Sequence, residues 1–261
     1  IPVYHMEAGN RSFDNNVPEE LNRKMVDHVA SFNLPYTEHA RRNLLAEGIH
    51  PRFIQRTGSP LREVLNHYRD KISSSKILED LGLESGNYFL VSVHRQENVD
   101  LAERLEGVLD CLIAVRDHWN LPVIVSTHPR TRARLKSQKI KNLEGIIFHD
   151  PFGYLDYNKL QIEARAVISD SGTIGEESSI AGFRAVSLRD SIERPESLDA
   201  GTIMITGLDP TTLLNCLRLA ISETSNRSKP DGYETEDFSD RVIKFLFSSA
   251  TKYAVWRNIR A

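Results

Sequence analysis

From Tyr88 to Glu223 the chain alternates short apolar runs with longer amphipathic stretches, and this rhythm restricts its fold more than any other feature. Tyr88 to Val93, Pro122 to Ser126, Gly145 to Phe148, Ala166 to Ile168, Arg184 to Leu188 and Thr202 to Ile205 each read as a strand. Between them, Leu101 to His118, the residues after Pro129, Tyr154 to Ala164, the residues from Thr173, a short piece near Glu196, and Pro210 to Glu223 read as helices. Asp100 and Glu103 are placed to cap the first of these. Strands alternating with helices of about 10 to 18 residues predict an α/β fold with a parallel, doubly wound sheet.

Ligands of such sheets bind outside the carboxyl ends of the strands. His94, His128, Asp150, Ser171 and the loop Arg189 to Glu196 all follow predicted strand ends, so the fold would collect them along one edge. Each taken singly reads as structural rather than functional; five on one edge shift the balance to a binding cleft. The segment Ala166-Val-Ile-Ser-Asp-Ser-Gly-Thr-Ile-Gly-Glu-Glu-Ser-Ser-Ile-Ala-Gly182 is the most specific of them. An apolar strand gives way to Ser169, Asp170 and Ser171; Gly172 allows a sharp turn, and a helix opens at Thr173. A helix N-terminus set this way aims backbone N–H groups at an anion, Ser171 adds a hydroxyl, and Glu176 or Glu177 could accept hydrogen bonds from vicinal sugar hydroxyls. The plain alternative is a helix with acidic residues favourably placed in its first turn.

The 261 residues suffice for one large or two modest α/β domains. A net charge of −3 argues against a dedicated nucleic-acid binder, and the basic run Arg130 to Lys141, without aromatics, reads as a solvated helix face. Cys111 and Cys216 sit in apolar helical contexts and read as small core residues in a reducing compartment. No run approaches a membrane span and no signal peptide is evident, so cytoplasm is the default location. The nine histidines are scattered without metal-ligand spacing, so no metal is expected. Asp170-Ser171-Gly172 lacks the first glycine of a nucleophile elbow, which argues against serine acyl transfer.

Upstream the pattern is looser. Ile1 to Gly9 reads as the end of a buried strand entering a loop, and with no initiator methionine it predicts further chain ahead of it. Pro18, Glu19 and Glu20 open a helix to about Val29; Val29 to Leu34 reads as a strand, Thr37 to Glu47 as a helix, Arg52 to Arg56 as a strand and Leu61 to about Arg69 as a helix. Thr224 to Asp237 reads as a linker and Phe238 to Ser248 or beyond as an amphipathic helix. The front of the chain gathers His5, Glu7, Arg11, Asp14, Glu19 and Arg23. Glu7, beside the small Ala8 and Gly9, could pair with Glu19 as an acid and base; equally, Glu7 could pair with Arg11 while Glu19 stabilises a helix end.

Together, His5-Met-Glu-Ala-Gly-Asn-Arg11, Pro18-Glu-Glu-Leu-Asn-Arg23, His94-Arg95, Ser169-Asp-Ser-Gly-Thr-Ile-Gly-Glu-Glu177 and Glu193-Arg-Pro-Glu196 followed by Ala200-Gly-Thr202 resemble the non-hydrolysing UDP-N-acetylglucosamine 2-epimerase family, in the family's order and over nearly the whole chain. That resemblance implies a glycosyltransferase-B-like fold of two Rossmann-like domains with the active site in a cleft. Residues 1-58 would end an N-terminal domain that is incomplete in this chain, 59-235 would form the UDP-binding domain, and 236-261 a helix returning to the first. It implies a cytoplasmic isomerase of cell-surface polysaccharide synthesis, tending to dimerise, that uses no redox cofactor. A base removes the C2 proton, UDP departs to leave a glycal, and UDP re-adds with reprotonation on the other face.

By the matching motifs, Glu7 and Glu19 resemble the acid/base carboxylates, and His94 and Arg23 the groups that stabilise the departing diphosphate. Ser171, Gly172 and Arg194 would hold phosphate oxygens, Glu177 the ribose hydroxyls, and Tyr157 would pack on the uracil. Asn10 stands where the simplest members carry an apolar residue, Gln96 departs from their His-Arg-Arg-Glu pattern, and Gly172-Thr173 replaces a Gly-Gly pair. These departures resemble the branch acting on modified UDP-sugars, such as UDP-2,3-diacetamido-glucuronate or a 6-deoxy acetamido sugar. A glycosyltransferase of the same fold and a non-catalytic UDP-binding module are the other readings.

Overall fold

The computed structural model describes residues 1–14, 18–137, 143–223 and 229–257. Near the start, two short parallel strands, β1 (Tyr4–Met6) and β2 (Phe32–Leu34), are joined through the helix Pro18–Val29, with Tyr4 beside Phe32 in register. The buried Phe32 ring stacks on Tyr4 at 4.9 Å between centroids and meets the edges of Phe245, Tyr253 and Trp256. The helix Phe238–Ser249 and the turns after it thereby close over these strands, and Arg257 lies over the Phe53 ring at 4.2 Å. Aromatic edge-to-face packing of this kind adds about 0.5–1.5 kcal/mol per pair beyond the area it buries.

Arg52 to Arg56 departs from its predicted strand. Pro51 has no N–H to give a ladder and opens a 3-10 turn over Pro51–Phe53, capped by His50 Nδ1 accepting from Arg52 N. Only Ile54 makes an isolated parallel bridge, to Asn33.

A buried ion cluster ties the loop after β1 to its surroundings. The Arg11 guanidinium, fully buried, donates to Asp27 Oδ2 at 2.7 Å and to both oxygens of Glu47, while Asp27 also accepts from Gly9 N and lies 2.7 Å from His5 Nδ1. Burial would raise the Asp27 pKa, but the hydrogen bonds and charges of His5 and Arg11 outweigh it and hold the carboxyl below its usual range. Gly9 adopts φ +82° in this loop, and a Cβ there would lie 2.2 Å from Ala40 O. Gly9→Ala is expected to cost more than about 2 kcal/mol in urea unfolding, because strain and overlap add.

The rest of the alternating pattern folds as a five-stranded sheet: β3 (Phe89–Ser92), β4 (Val123–Ser126), β5 (Ile146–His149), β6 (Ala166–Ser169) and β7 (Ala185–Ser187). All pairs are parallel in the order β5-β4-β3-β6-β7, a Rossmann-like arrangement. Strands β3, β6 and β7 are buried almost throughout, as their unbroken apolar runs require. The helices Ala102–Trp119 and Pro210–Ser222 supply Leu112, Val115, Leu213 and Leu217 to the same core. The predicted strand Thr202 to Ile205 contributes only an isolated bridge from Ile205 to Ser187. Asp100 does not cap with Glu103: the long helix is capped at Leu101 without a side-chain bond, because Gln96–Val99 already turns helically and Asp100 ends that turn and pairs with Arg134.

Two compact units result. One comprises Ile1–His67, Ser191–Ala200 and Lys229–Ala261; the other comprises Tyr68–Asp190 and Gly201–Ser228. Residues 59–67, 191–200 and 229–235, read from sequence with the second domain, thus group with the first unit. Within Thr224 to Asp237, residues 224–228 lie outside the described residues, and the remainder is packed rather than a free linker. Tyr233 is buried and donates to Glu196 Oε1 at 2.8 Å, and Gly232 O accepts from Ser59 N. Both cysteines are free thiols; Cys111 is buried, which pushes its pKa up to about 12. The basic run forms the helix Pro129–Ser137, with Arg132 paired to Asp150 and Arg134 to Asp100; Lys139 and Lys141 lie outside the described residues. Among the described residues no helix is long and apolar enough to cross a membrane.

Candidate active site

The strand order reverses between β3 and β6, which is where an open parallel sheet leaves a crevice at its carboxyl edge. Ser92 and Ser169 are the last paired residues there, and the loops that follow carry His94 and Asp170. The fully buried Asp170 carboxylate accepts from His94 N at 3.1 and 3.2 Å, Arg95 N at 3.0 Å and Asn98 Nδ2 at 3.1 Å. It therefore joins the two loops across the switch point. His94 Nδ1 lies 3.4 Å from Asp170 Oδ1, and its side chain remains 44% exposed. The His128 ring, also exposed, stands 6.4 Å from it between centroids.

After Asp170 the chain makes the expected turn. Ser171 N donates to Ser169 Oγ at 3.0 Å, Ser171 Oγ and Thr173 Oγ1 are 2.9 Å apart, and the helix Ile174–Ala181 begins without a side-chain cap from Thr173. An N-terminus left uncapped in this way presents amide donors and the positive end of the helix dipole, a setting suited to phosphate. Glu177, one turn in, is fixed by Thr173 Oγ1 and by Gln161 Nε2 at 2.6 Å. Gln161 belongs to the helix Tyr154–Glu163, which also carries the half-buried Tyr157. Burial first, and then the Glu177 and Asp170 carboxylates, push the Tyr157 phenol up against a hydrogen bond to Ser92, so it is neutral near pH 7. His94, Tyr157, Ser171, Gly172 and Glu177 thus belong to one unit. Asp150 instead stands exposed in an ion pair with Arg132. The loop Arg189 to Glu196 does not stay with that edge as one piece, since Ser191 onward belongs to the first unit.

The first unit holds a second cluster. Glu7 occupies the left-handed region at φ 61°, and its Oε1 accepts from Arg194 Nη2 at 2.7 Å, Arg23 Nη2 at 3.3 Å and Asn10 Nδ2 at 3.2 Å. Arg23 also lies 3.6 Å from the buried Glu193. Burial alone would raise the Glu7 pKa, but the charge and hydrogen bond of Arg194, followed by those of Arg23, hold it below the usual glutamate range. The carboxylate is thus ionised, gripped through one oxygen and 31% exposed on its side chain, with a proton affinity below that of a free glutamate.

Glu19 stands exposed in the first turn of the helix Pro18–Val29, whereas its neighbour Glu20 turns inward to accept from Ser12 N at 2.7 Å and to pair with Lys24. Arg11 pairs with Asp27 and Glu47 and not with Glu7. Sequence reasoning missed Asp27 and assigned no role to Glu193 or Asp170, although both stand in quoted motifs. Asp27 follows Met25-Val26 within a helix and looks like a surface residue. Asp170 carried a usable signal, being an acid placed directly after a buried strand where loop amides need acceptors. Among the described residues no group of three His, Cys, Asp or Glu side chains is arranged to hold a metal ion.

A parallel Rossmann-like sheet with an anion-type turn at its switch point, in a chain that also carries a second α/β unit with an arginine-bound glutamate, defines a glycosyltransferase-B-like protein. Residues 1–247 match the profile of the UDP-N-acetylglucosamine 2-epimerase family, and the chain belongs to that family. It is 33% identical over 253 residues to the UDP-N-acetylglucosamine 2-epimerase of Methanocaldococcus jannaschii, covering 94% of this chain and 69% of that protein. Against the Methanococcus maripaludis enzyme it is 32% identical and spans 65% of the relative's length. The structure is similar to that of the UDP-N-acetylglucosamine 2-epimerase from Rickettsia bellii, with a TM-score of 0.89, 36% identity, and coverage of 98% of this chain and 70% of that one. It is also similar to the M. jannaschii enzyme in complex with UDP-GlcNAc and UDP, with a TM-score of 0.88, 31% identity, and coverage of 95% and 70%.

Proposed function

We propose that this chain acts as a UDP-N-acetylglucosamine 2-epimerase, interconverting UDP-N-acetylglucosamine and UDP-N-acetylmannosamine. The observation that carries the reading is Glu7, held as an ionised carboxylate by Arg23 and Arg194 in a member of this family. The C2 proton of a hexose is too weakly acidic for a carboxylate unless its loss is coupled to departure of a good leaving group. UDP is such a group: Glu7 takes the proton, the C1–O bond breaks, and a glycal and UDP result. Re-addition of UDP with protonation at the opposite face completes the inversion, and Glu19 is the second carboxylate.

His94 and Arg23 offset charge developing on the diphosphate. Ser171, Gly172 and Arg194 hold phosphate oxygens, Glu177 binds the ribose hydroxyls and Tyr157 lies against the uracil. The chemistry needs no redox cofactor, since the proton removed is returned at the same carbon. We place the enzyme in the cytoplasm, where UDP-sugars are made, and as a homodimer, for which light scattering should give twice the 29.6 kDa chain mass.

Proton NMR of UDP-N-acetylglucosamine in D2O with the full chain tests the reaction. Loss of the C2 proton signal with appearance of the manno epimer is expected. UDP binding without exchange, on this sugar and on a panel of C3-, C4- and C6-modified UDP-sugars, would replace the reading with a binding module.

A further inference from the structure

Among the described residues, all the hydrogen bonds to Glu7 fall on one oxygen. Arg194, Arg23 and Asn10 converge on Oε1, whereas no described donor reaches Oε2. Three donors exceed the two lone pairs of a carboxylate oxygen and draw negative charge toward Oε1, while arriving from three separate segments they stop rotation of the group. We propose that Asn10 is a positioning residue which, with Arg23 and Arg194, fixes Glu7 through Oε1 and so reserves Oε2 as the oxygen that exchanges the C2 proton. The proposal rests on the epimerase reading above.

In the step concerned, Oε2 forms a bond to the C2 proton and the C2–H electron pair becomes the C1=C2 double bond. The C1–O pair leaves with UDP. Asn10 suits the task because it is itself immobilised: it is buried, and its carbonyl accepts from Nη1 of the buried Arg11 at 2.8 Å. The Arg11–Asp27–Glu47 cluster thus anchors the backbone from which the Asn10 carboxamide reaches Glu7. Among the described residues, the charged groups paired with Glu7 are Arg194 and Arg23, and Glu193 faces Arg23.

Asn10→Leu keeps the volume and removes the donor. It is expected to slow C2 deuterium exchange about tenfold, the worth of one hydrogen bond to a charged acceptor, with UDP affinity unchanged. The Glu7 titration, followed by the 13Cδ resonance that Glu7→Gln identifies, should move up by about one unit as a ligand of the charged form is lost. Asn10→Asp should move it further, since a second carboxylate opposes ionisation, and this variant decides the matter if the leucine fails to fold. Leucine and aspartate variants with parental exchange and an unmoved Glu7 titration would overturn the proposal. Glu7→Gln run alongside separates the two levels. If it exchanges normally, the epimerase reading of Glu7 fails; if it is dead while Asn10→Leu is normal, only the positioning role fails.

Discussion

Glu7→Gln is expected to lower C2-proton exchange by about 10²- to 10⁴-fold, the usual contribution of a positioned general base, while UDP affinity changes less than about threefold. The amide has nearly the size of the carboxylate but cannot accept a proton at a useful pH. It also leaves the Arg23 and Arg194 guanidinium groups with a neutral partner, and Glu193 then becomes the main nearby counter-charge for Arg23. Some loss of stability is therefore expected too, and urea unfolding separates it from the catalytic loss. Ser171 and Glu177, proposed above to hold the nucleotide, belong to the other compact unit, and Arg194, proposed to hold phosphate, keeps its charge in the variant, so binding should survive. Full turnover by a folded Glu7→Gln enzyme would remove Glu7 from the chemistry.

Asp170→Ala is expected to destabilise the second unit by about 3 kcal/mol or more and to abolish UDP binding at micromolar concentrations. Three N–H donors, from His94, Arg95 and Asn98, converge on this fully buried carboxylate. Stranding a buried donor costs about 1–3 kcal/mol, so the losses accumulate unless the loops separate and let water in. Either outcome displaces His94, whose position depends on its own backbone N–H. Asp170→Asn should fall between parent and alanine, because the amide offers one acceptor oxygen but turns its NH2 toward groups that are themselves donors. Urea midpoints and UDP titration calorimetry report the two effects. An alanine variant within about 0.5 kcal/mol of the parent would show that Asp170 does not hold the switch point together.

How much of this could be read from the amino acids varies with the physics involved. Strands β3, β4, β6 and β7 were legible because a strand buried on both faces must be apolar throughout. The edge strand β5 was legible because its Ile-Ile-Phe run is apolar even though Ile147 is exposed, and the Ser171–Gly172 turn because polar residues and a glycine break off the apolar run of β6. The strand predicted over Arg52 to Arg56 failed because Pro51 turned the backbone just before it. Glu19 and Glu20 cannot be told apart by type; one helical step of about 100° sends one outward and the other to Ser12. Asp27 was invisible for a different reason. Its partners His5, Gly9 and Arg11 lie across a loop, and no local pattern records a buried ion cluster assembled from separate segments. The grouping of Ser191–Ala200 with the first unit is likewise a tertiary fact.

That last feature bears on how the protein is made. The chain passes from one unit to the other near residues 67, 190, 200 and 228. Vectorial synthesis delivers the second unit almost in one piece, so its sheet can close while the ribosome is still working. The first unit cannot: Tyr4 and Phe32 wait for Phe245, Tyr253 and Trp256, and Glu7 waits for Arg194. Until residues 194 to 256 have been made, therefore, Glu7 and a patch of bare aromatic rings await their partners. This is the interval in which chaperone dependence and aggregation of this protein should concentrate.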